Sequence, residues 1–212
     1  MTTDTAEAVE TLVSPILMDH ALKGPPQGRW AVVNWERLPT DGNRYEIIDG
    51  KLYMTTAPST FHQWIVGRWI RLIGIAAEDR GLGIWLTAPI GVLLSQHDAV
   101  QPDFLFIRAE RVAELVRDRR VRGAPDLVVE VLSPGNNPEE MAKKRALYAR
   151  GGVPAYIEVN PAARTLALST LADDVYGEPI VYGEAQTVHL ACLPALPLQV
   201  AALFAGAPDT TL

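Results

Sequence analysis

The stretch Gly123-Ala-Pro-Asp-Leu-Val-Val-Glu-Val-Leu-Ser-Pro134 constrains this chain most. Leu127 to Leu132 is a short, largely β-branched apolar run with proline-marked ends, which reads as a strand buried on both faces. Glu130 interrupts it. An ionised carboxylate in such a place is costly unless it is paired or binds a metal. A burial of this kind requires groups elsewhere in the sequence to accompany Glu130.

The flanking segments predict a mixed sheet. Arg44 to Met54 is a β-hairpin about Asp49-Gly50, a dipeptide that favours the type I′ turn. Ser59 or Thr60 caps a helix running to about Arg80, with Trp64, Ile65, Trp69, Ile70 and Ile73 on its apolar face and Gly81 at its end. Gly83 to Leu94 is one or two strands around Pro89, and Phe104 to Ile107 another. Glu110 to Asp118 reads as a short helix. A helix from Pro138 to Arg150, closed by Gly151-Gly152, separates the Glu130 strand from a strand at Ala155–Val159. Strands at 166–171, 180–182 and 188–191 and a helix at 198–204 complete the pattern. The fold class is α/β (α+β): a mixed β-sheet core flanked by helices, with an N-terminal hairpin and additional C-terminal strands. The expected organisation is a loose arm at 1–28, one domain at 29–205 and a tail at 206–212.

With 48% hydrophobic and 21% charged residues, the 212-residue chain has the composition of an ordinary globular domain. A net charge of -6 excludes a globally basic nucleic-acid binder and leaves only local patches for such a role. The arginines at 108, 111, 117, 119, 120 and 122 are the one dense basic stretch, a candidate phosphate-facing rim. A single cysteine, Cys192, excludes an intrachain disulfide and a cysteine-based zinc cage. No run approaches a membrane span and no apolar leader is present, so a cytoplasmic location is expected.

Asp103 opens the Phe104 strand, Glu130 lies in the next buried strand, Lys144 sits on the following helix, and Glu46 lies on the hairpin. Two carboxylates on neighbouring strands, with the carbonyl of Val131 and water, form an oxygen donor set suited to Mg²⁺. A metal there lowers the pKa of bound water, and a nearby lysine orients or helps deprotonate that water and stabilises negative charge on a phosphate undergoing hydrolysis. Each residue also has a plainer reading. Pro102-Asp103 is a common turn acceptor, and Lys143-Lys144-Arg145 a common solvated face. Glu140 and Lys144 have the spacing of a helix ion pair. Glu46 fits the alternation of an exposed strand, and His62 is a cap or surface residue. No Gly-rich phosphate loop, nucleophile elbow or His-Glu-x-x-His pattern occurs.

Pro102-Asp103 followed by Glu130-Val-Leu132 resembles the PD-(D/E)xK nuclease signature with Leu132 in place of its lysine. Together with Tyr45-Glu-Ile-Ile-Asp-Gly50, Gln101-Pro-Asp103 and Leu147-Tyr-Ala-Arg-Gly-Gly-Val-Pro154, the ordered set resembles the Uma-type restriction-endonuclease family over about residues 30–205. The resemblance implies a restriction-endonuclease-like core and metal-dependent hydrolysis of DNA phosphodiesters. Asp103 and Glu130 correspond to the metal-binding acids, Lys144 to the lysine on the following helix and Glu46 to an accessory acid. Mg²⁺, replaceable by Mn²⁺, is the implied cofactor, with no organic cofactor. DNA is the implied partner, along with a possible homodimer. Departures from the family pattern are Ile157, Asn160, Gly135-Asn136 and Glu140, none of them a proposed metal acid. A catalytically silent binding or regulatory protein and a hydrolase of another phosphate ester remain alternative readings.

Overall fold

A computed structural model describes residues 10–11, 24–39, 41–55, 57–134 and 136–211. Strand β1 (Arg44–Ile48) and strand β2 (Lys51–Thr55) form the expected hairpin. Asp49 and Gly50 take φ of 52° and 70°, the paired positive values of a type I′ turn. Gly50 has a second reason to be glycine: a Cβ there would lie 2.7 Å from the Gly28 carbonyl oxygen. Its N–H donates to His97 O and its carbonyl accepts from Trp30 N, so neighbouring loops grip the turn from both sides.

The hairpin belongs to a seven-stranded sheet that also contains β4 (Val92–Ser95), β5 (Asp98–Val100) and β7 (Arg120–Arg122), with Glu10–Thr11 and Val116–Arg117 at its edges. The central sheet holds β3 (Gly83–Thr87), β6 (Phe104–Arg108), β8 (Leu127–Val131), β9 (Ala155–Asn160) and β10 (Thr165–Ala172), in the order β10-β9-β8-β6-β3. Strand β8 pairs antiparallel with β6 and parallel with β9. Helix α2 (Pro138–Arg150) makes the crossover that a parallel pair requires. Its N-cap Asn137 accepts from Glu139 N, with Pro138 in the first turn.

Alternation along the strands divides the core. Phe104, Phe106, Leu127 and Val129 face helix α1 (Thr60–Trp69), meeting Ile65 and Trp69. Leu105, Ile107 and Val128 face the other way, meeting Leu147 and Tyr148 of α2 with Ile48, Val92 and Val100 of the second sheet. A smaller cluster, including Trp35, Tyr45 and Ile47, covers the outer face of the second sheet. Strand β8 is thus buried throughout.

Three expectations change. The helix expected to run from Ser59 or Thr60 to Arg80 widens into a π-helical turn at Ile70–Gly74 before ending as Ile75–Glu78. At that turn the bare backbone of Gly74 admits Trp85, whose ring atoms would lie from 2.8 Å of a Cβ. The helix expected at 110–118 is instead a 3-10 turn (Ala109–Arg111) and one helical turn (Val112–Leu115), followed by a hairpin. Asp118 and Arg119 turn that hairpin at φ of 51° and 64° without a glycine to mark it. Near the C-terminus, strand Leu193–Gln199 replaces the start of the expected 198–204 helix, which is reduced to Ala201–Phe204. Pro194 and Pro197 are tolerated there because, among the described residues, the strand pairs on one side only, with Thr187–Leu190. Most of the arm expected at 1–28 lies outside the described residues; Glu10–Thr11 pairs parallel with β2.

Replacing Gly50 with Ala should lower unfolding stability by about 1–2 kcal/mol, since the turn needs positive φ and the Gly28 carbonyl blocks a Cβ. Chemical denaturation checks this, and an unchanged midpoint would show that the turn relaxes freely.

Candidate active site

The candidate site lies where the chain crosses between the sheets. Residues 101–103 lead from β5 of the second sheet into β6 of the central one. The β6–β8 register pairs Phe104 with Val129; carried one residue further, it sets Asp103 opposite Glu130. On β1, Glu46 alternates with Tyr45 and Ile47, so it shares the inward face of Ile48. Lys144 and Tyr148, one helical turn apart on α2, lie on the same side of that helix. The four residues singled out from the sequence therefore converge. Glu46, Asp103, Glu130 and Lys144 are all at most 5% exposed.

The Lys144 ammonium lies 2.9 Å from Glu130 Oε1 and 3.0 Å from Glu46 Oε2. Tyr148 donates to the same Glu130 oxygen at 2.7 Å, and the backbone N–H of Gln101 donates to Glu46 Oε1 at 2.6 Å. Asp103 is held separately. Arg44 reaches its Oδ1 at 2.8 Å and donates to the Gln101 carbonyl with its other terminal nitrogen. Oδ2 receives the Val131 N–H at 2.8 Å and lies 3.0 Å from His62 Nε2. Asp103, Glu130, Val131, His62 and Lys144 all line one cavity of about 160 Å³.

These contacts set the charges. Burial opposes ionisation of Asp103, but Arg44, His62 and the Val131 N–H outweigh it and hold the carboxyl well below the usual carboxylate range. Burial pushes Glu130 up to about 7; Lys144 opposes the rise, and the charges of Asp103 and Glu46 add to it. For Lys144, burial disfavours the ammonium, but Glu130 and Glu46 more than compensate and carry it above the usual lysine range. Lys144 is therefore a cation at neutral pH.

Comparison with known proteins now places the chain. The profile of the Uma2 family, described as "Putative restriction endonuclease", matches residues 33–201. The chain belongs to the Uma2 family. A crystal structure of a "putative nuclease belonging to DUF820" from Anabaena variabilis shares its fold with a TM-score of 0.70 at 18% identity, covering 82% of this chain and 97% of that one. The mixed sheet flanked by helices is thus a restriction-endonuclease-like core. No curated protein matches by sequence.

In this Uma2 member, three residues join the site that the sequence reading did not place there. Arg44 sits two residues from Glu46 on one strand face, and Tyr148 four residues from Lys144 on one helix face; both spacings were available as signals. His62 had none. Far from a surface cap, it is buried, with Ser59 as the N-cap accepting its backbone N–H. The proposed arginine rim does not form as one surface. Arg108 and Arg111 converge on buried Asp126, Arg122 pairs with Asp118, and of the six only Arg120 lines the cleft beside Asp103. Among the family departures, Ile157 packs in the core and Asn160 accepts from Ala163 N; Gly135 lies outside the described residues.

The raised Glu130 carboxyl gives a stability signature. With its folded-state pKa near 7 against an ordinary 4.5, the folded protein retains a proton between those values that the unfolded chain releases. That contribution is complete below about 4.5 and lost as pH rises through about 7. In metal-free buffer, Glu130→Gln should therefore gain stability relative to the parent across this interval, by at most about 3 kcal/mol. Denaturation at several pH values measures the difference; a gap that stays level would mean Lys144 keeps Glu130 ionised throughout.

Proposed function

We propose that the protein is a divalent-metal-dependent endonuclease that hydrolyses DNA phosphodiester bonds. The observation that carries the proposal is the buried convergence of Asp103 and Glu130 on one cavity with Lys144 beside them. Membership of the Uma2 family supports it. Asp103, just ahead of β6, and Glu130, on the adjacent β8, supply two carboxylates, and the Val131 carbonyl is a third candidate ligand. Among the described residues no three His, Cys, Asp or Glu groups form a ready-made metal cage. Two carboxylates and a carbonyl fit Mg²⁺, or Mn²⁺ in its place, because Mg²⁺ retains several waters and is completed by substrate phosphate. When bound, the metal would acidify a water and screen charge on the phosphoryl oxygens.

The chain's own residues account for the rest of the reading. Lys144, held as an ammonium, donates hydrogen bonds and stabilises charge; in that state it has no lone pair with which to act as the base. Glu46 fixes the ammonium from the opposite sheet and thereby serves as a positioning residue. Arg44 holds Asp103 in the orientation facing Glu130, while His62 and the Val131 N–H secure its other oxygen. Tyr148, whose pKa burial and then Glu130 raise, remains a donor that fixes the Glu130 carboxylate.

Plasmid and linear DNA should be cleaved with Mg²⁺ or Mn²⁺ and left intact with EDTA. Asp103→Asn and Glu130→Gln should each lower the rate by about 100-fold or more. Lys144→Ala should do likewise, and because it strands two buried carboxylates it should also cost about 3–5 kcal/mol of stability; circular dichroism shows whether it still folds. Undiminished cleavage in folded Asp103→Asn and Glu130→Gln would overturn the assignment. Pairing of all three acids with protein cations motivates a second reading, a silent nuclease fold. DNA binding without cleavage under any divalent metal would favour it.

A further inference from the structure

Next to the 160 Å³ cavity lies a much larger cleft, of about 660 Å³. The two share Arg44, Thr55, Ala57, Pro58 and Asp103, so the cleft meets the small cavity at Asp103. One part of its wall is a planar pair: the Arg120 guanidinium lies 5.2 Å from the centre of the Trp35 ring. Gly91 makes that pairing possible, because a Cβ there would lie 2.5 Å from Trp35 and 2.9 Å from Arg120.

Among the described residues, four almost wholly buried polar atoms of side chains lining this cleft find no hydrogen-bond partner: Arg44 Nε, Thr55 Oγ1, Gln101 Oε1 and Arg120 Nε. Gln101 is 8% exposed and its amide nitrogen already donates to Tyr45 O. Unpaired buried groups are costly and few in folded proteins, so four along one cleft call for a polar occupant. Their chemistry narrows the choice. A phosphate would need donors alone, whereas this wall offers two N–H donors, an amide acceptor and a hydroxyl that does both. The edge of a nucleobase mixes donors and acceptors in the same way, and its face suits an arginine–aromatic stack. A volume of 660 Å³ lies within the range of small-ligand pockets and is too confined for a duplex.

We propose that this cleft takes an unstacked nucleobase flanking the bond to be cut, so that the enzyme acts on single-stranded or locally opened DNA. The proposal rests on the nuclease reading above and specifies its substrate. A base in the cleft has left its helical stack, and single strands pay least for this. Arg120 provides the stacking plane, Gln101 and Thr55 contact the base edge, and Arg44 links the base pocket to Asp103.

The test uses the full chain, a short fluorescein-labelled single strand of mixed sequence and its blunt duplex, with Ca²⁺ present for anisotropy and Mn²⁺ for cleavage. The single strand should bind about ten-fold more tightly than the duplex and be cut faster. Arg120→Leu should weaken single-strand binding by roughly ten-fold. Arg120→Lys, which retains charge and loses the plane, should also weaken it. Equal affinity for both DNAs, or full affinity in both Arg120 variants, with cleavage intact would overturn the base pocket and leave the nuclease standing. Absence of both binding and cleavage on every DNA would overturn the two together.

Discussion

The structure depends on one buried ammonium. Lys144 joins a helix, the central sheet and the second sheet through contacts with Glu130 and Glu46. None of the three groups belongs in an apolar interior alone, and desolvation costs each several kcal/mol. Together they are tolerable, helped by the Tyr148 hydroxyl and the Gln101 N–H. Such an arrangement adds little net stability over a hydrophobic equivalent, yet losing one partner strands the others. The cluster therefore acts as a constraint on geometry more than as a source of folding energy. It specifies how α2 sits over the sheet and how the hairpin meets it.

Asp103 is handled differently a few ångströms away. Its partners are a strand N–H, a helix histidine and an arginine from the hairpin, and they keep it ionised. Glu130, by contrast, is poised near neutrality. Two acids set opposite each other thus differ in electrostatic character because one has a guanidinium of its own and the other shares an ammonium with Glu46. The carboxylates open onto a common cavity from these unequal states, which suits a site where charge has to be redistributed as a ligand arrives.

Much of this was legible in the sequence, for identifiable reasons. A glutamate inside a β-branched run announced burial and the need for a partner. Asp49-Gly50 specified its hairpin, and the Pro138 start and glycine end of α2 marked the crossover that delivers Lys144. Local chemistry governs such signals. What escaped was non-local. Asp118-Arg119 turns a hairpin with two non-glycine residues at positive φ, which the chain accepts because the flanking strands dock on the second sheet. The arginine stretch looked like one surface, but strand and turn geometry sends successive side chains to different neighbours, among them Asp126, Asp118 and Trp35. His62 could not be assigned because its role depends on where the N-terminal end of α1 meets Asp103.

The route of the chain between sheets has a consequence for assembly. Glu46 and Arg44 belong to one sheet, Glu130 to the other, and Asp103 to the segment that joins them. The hairpin sheet by itself holds only part of the constellation, and the central sheet by itself only another part. The constellation comes into being when the two layers dock. Neither layer alone can bring Arg44, Asp103 and Glu130 to one cavity; the packing of one sheet on the other is what assembles them.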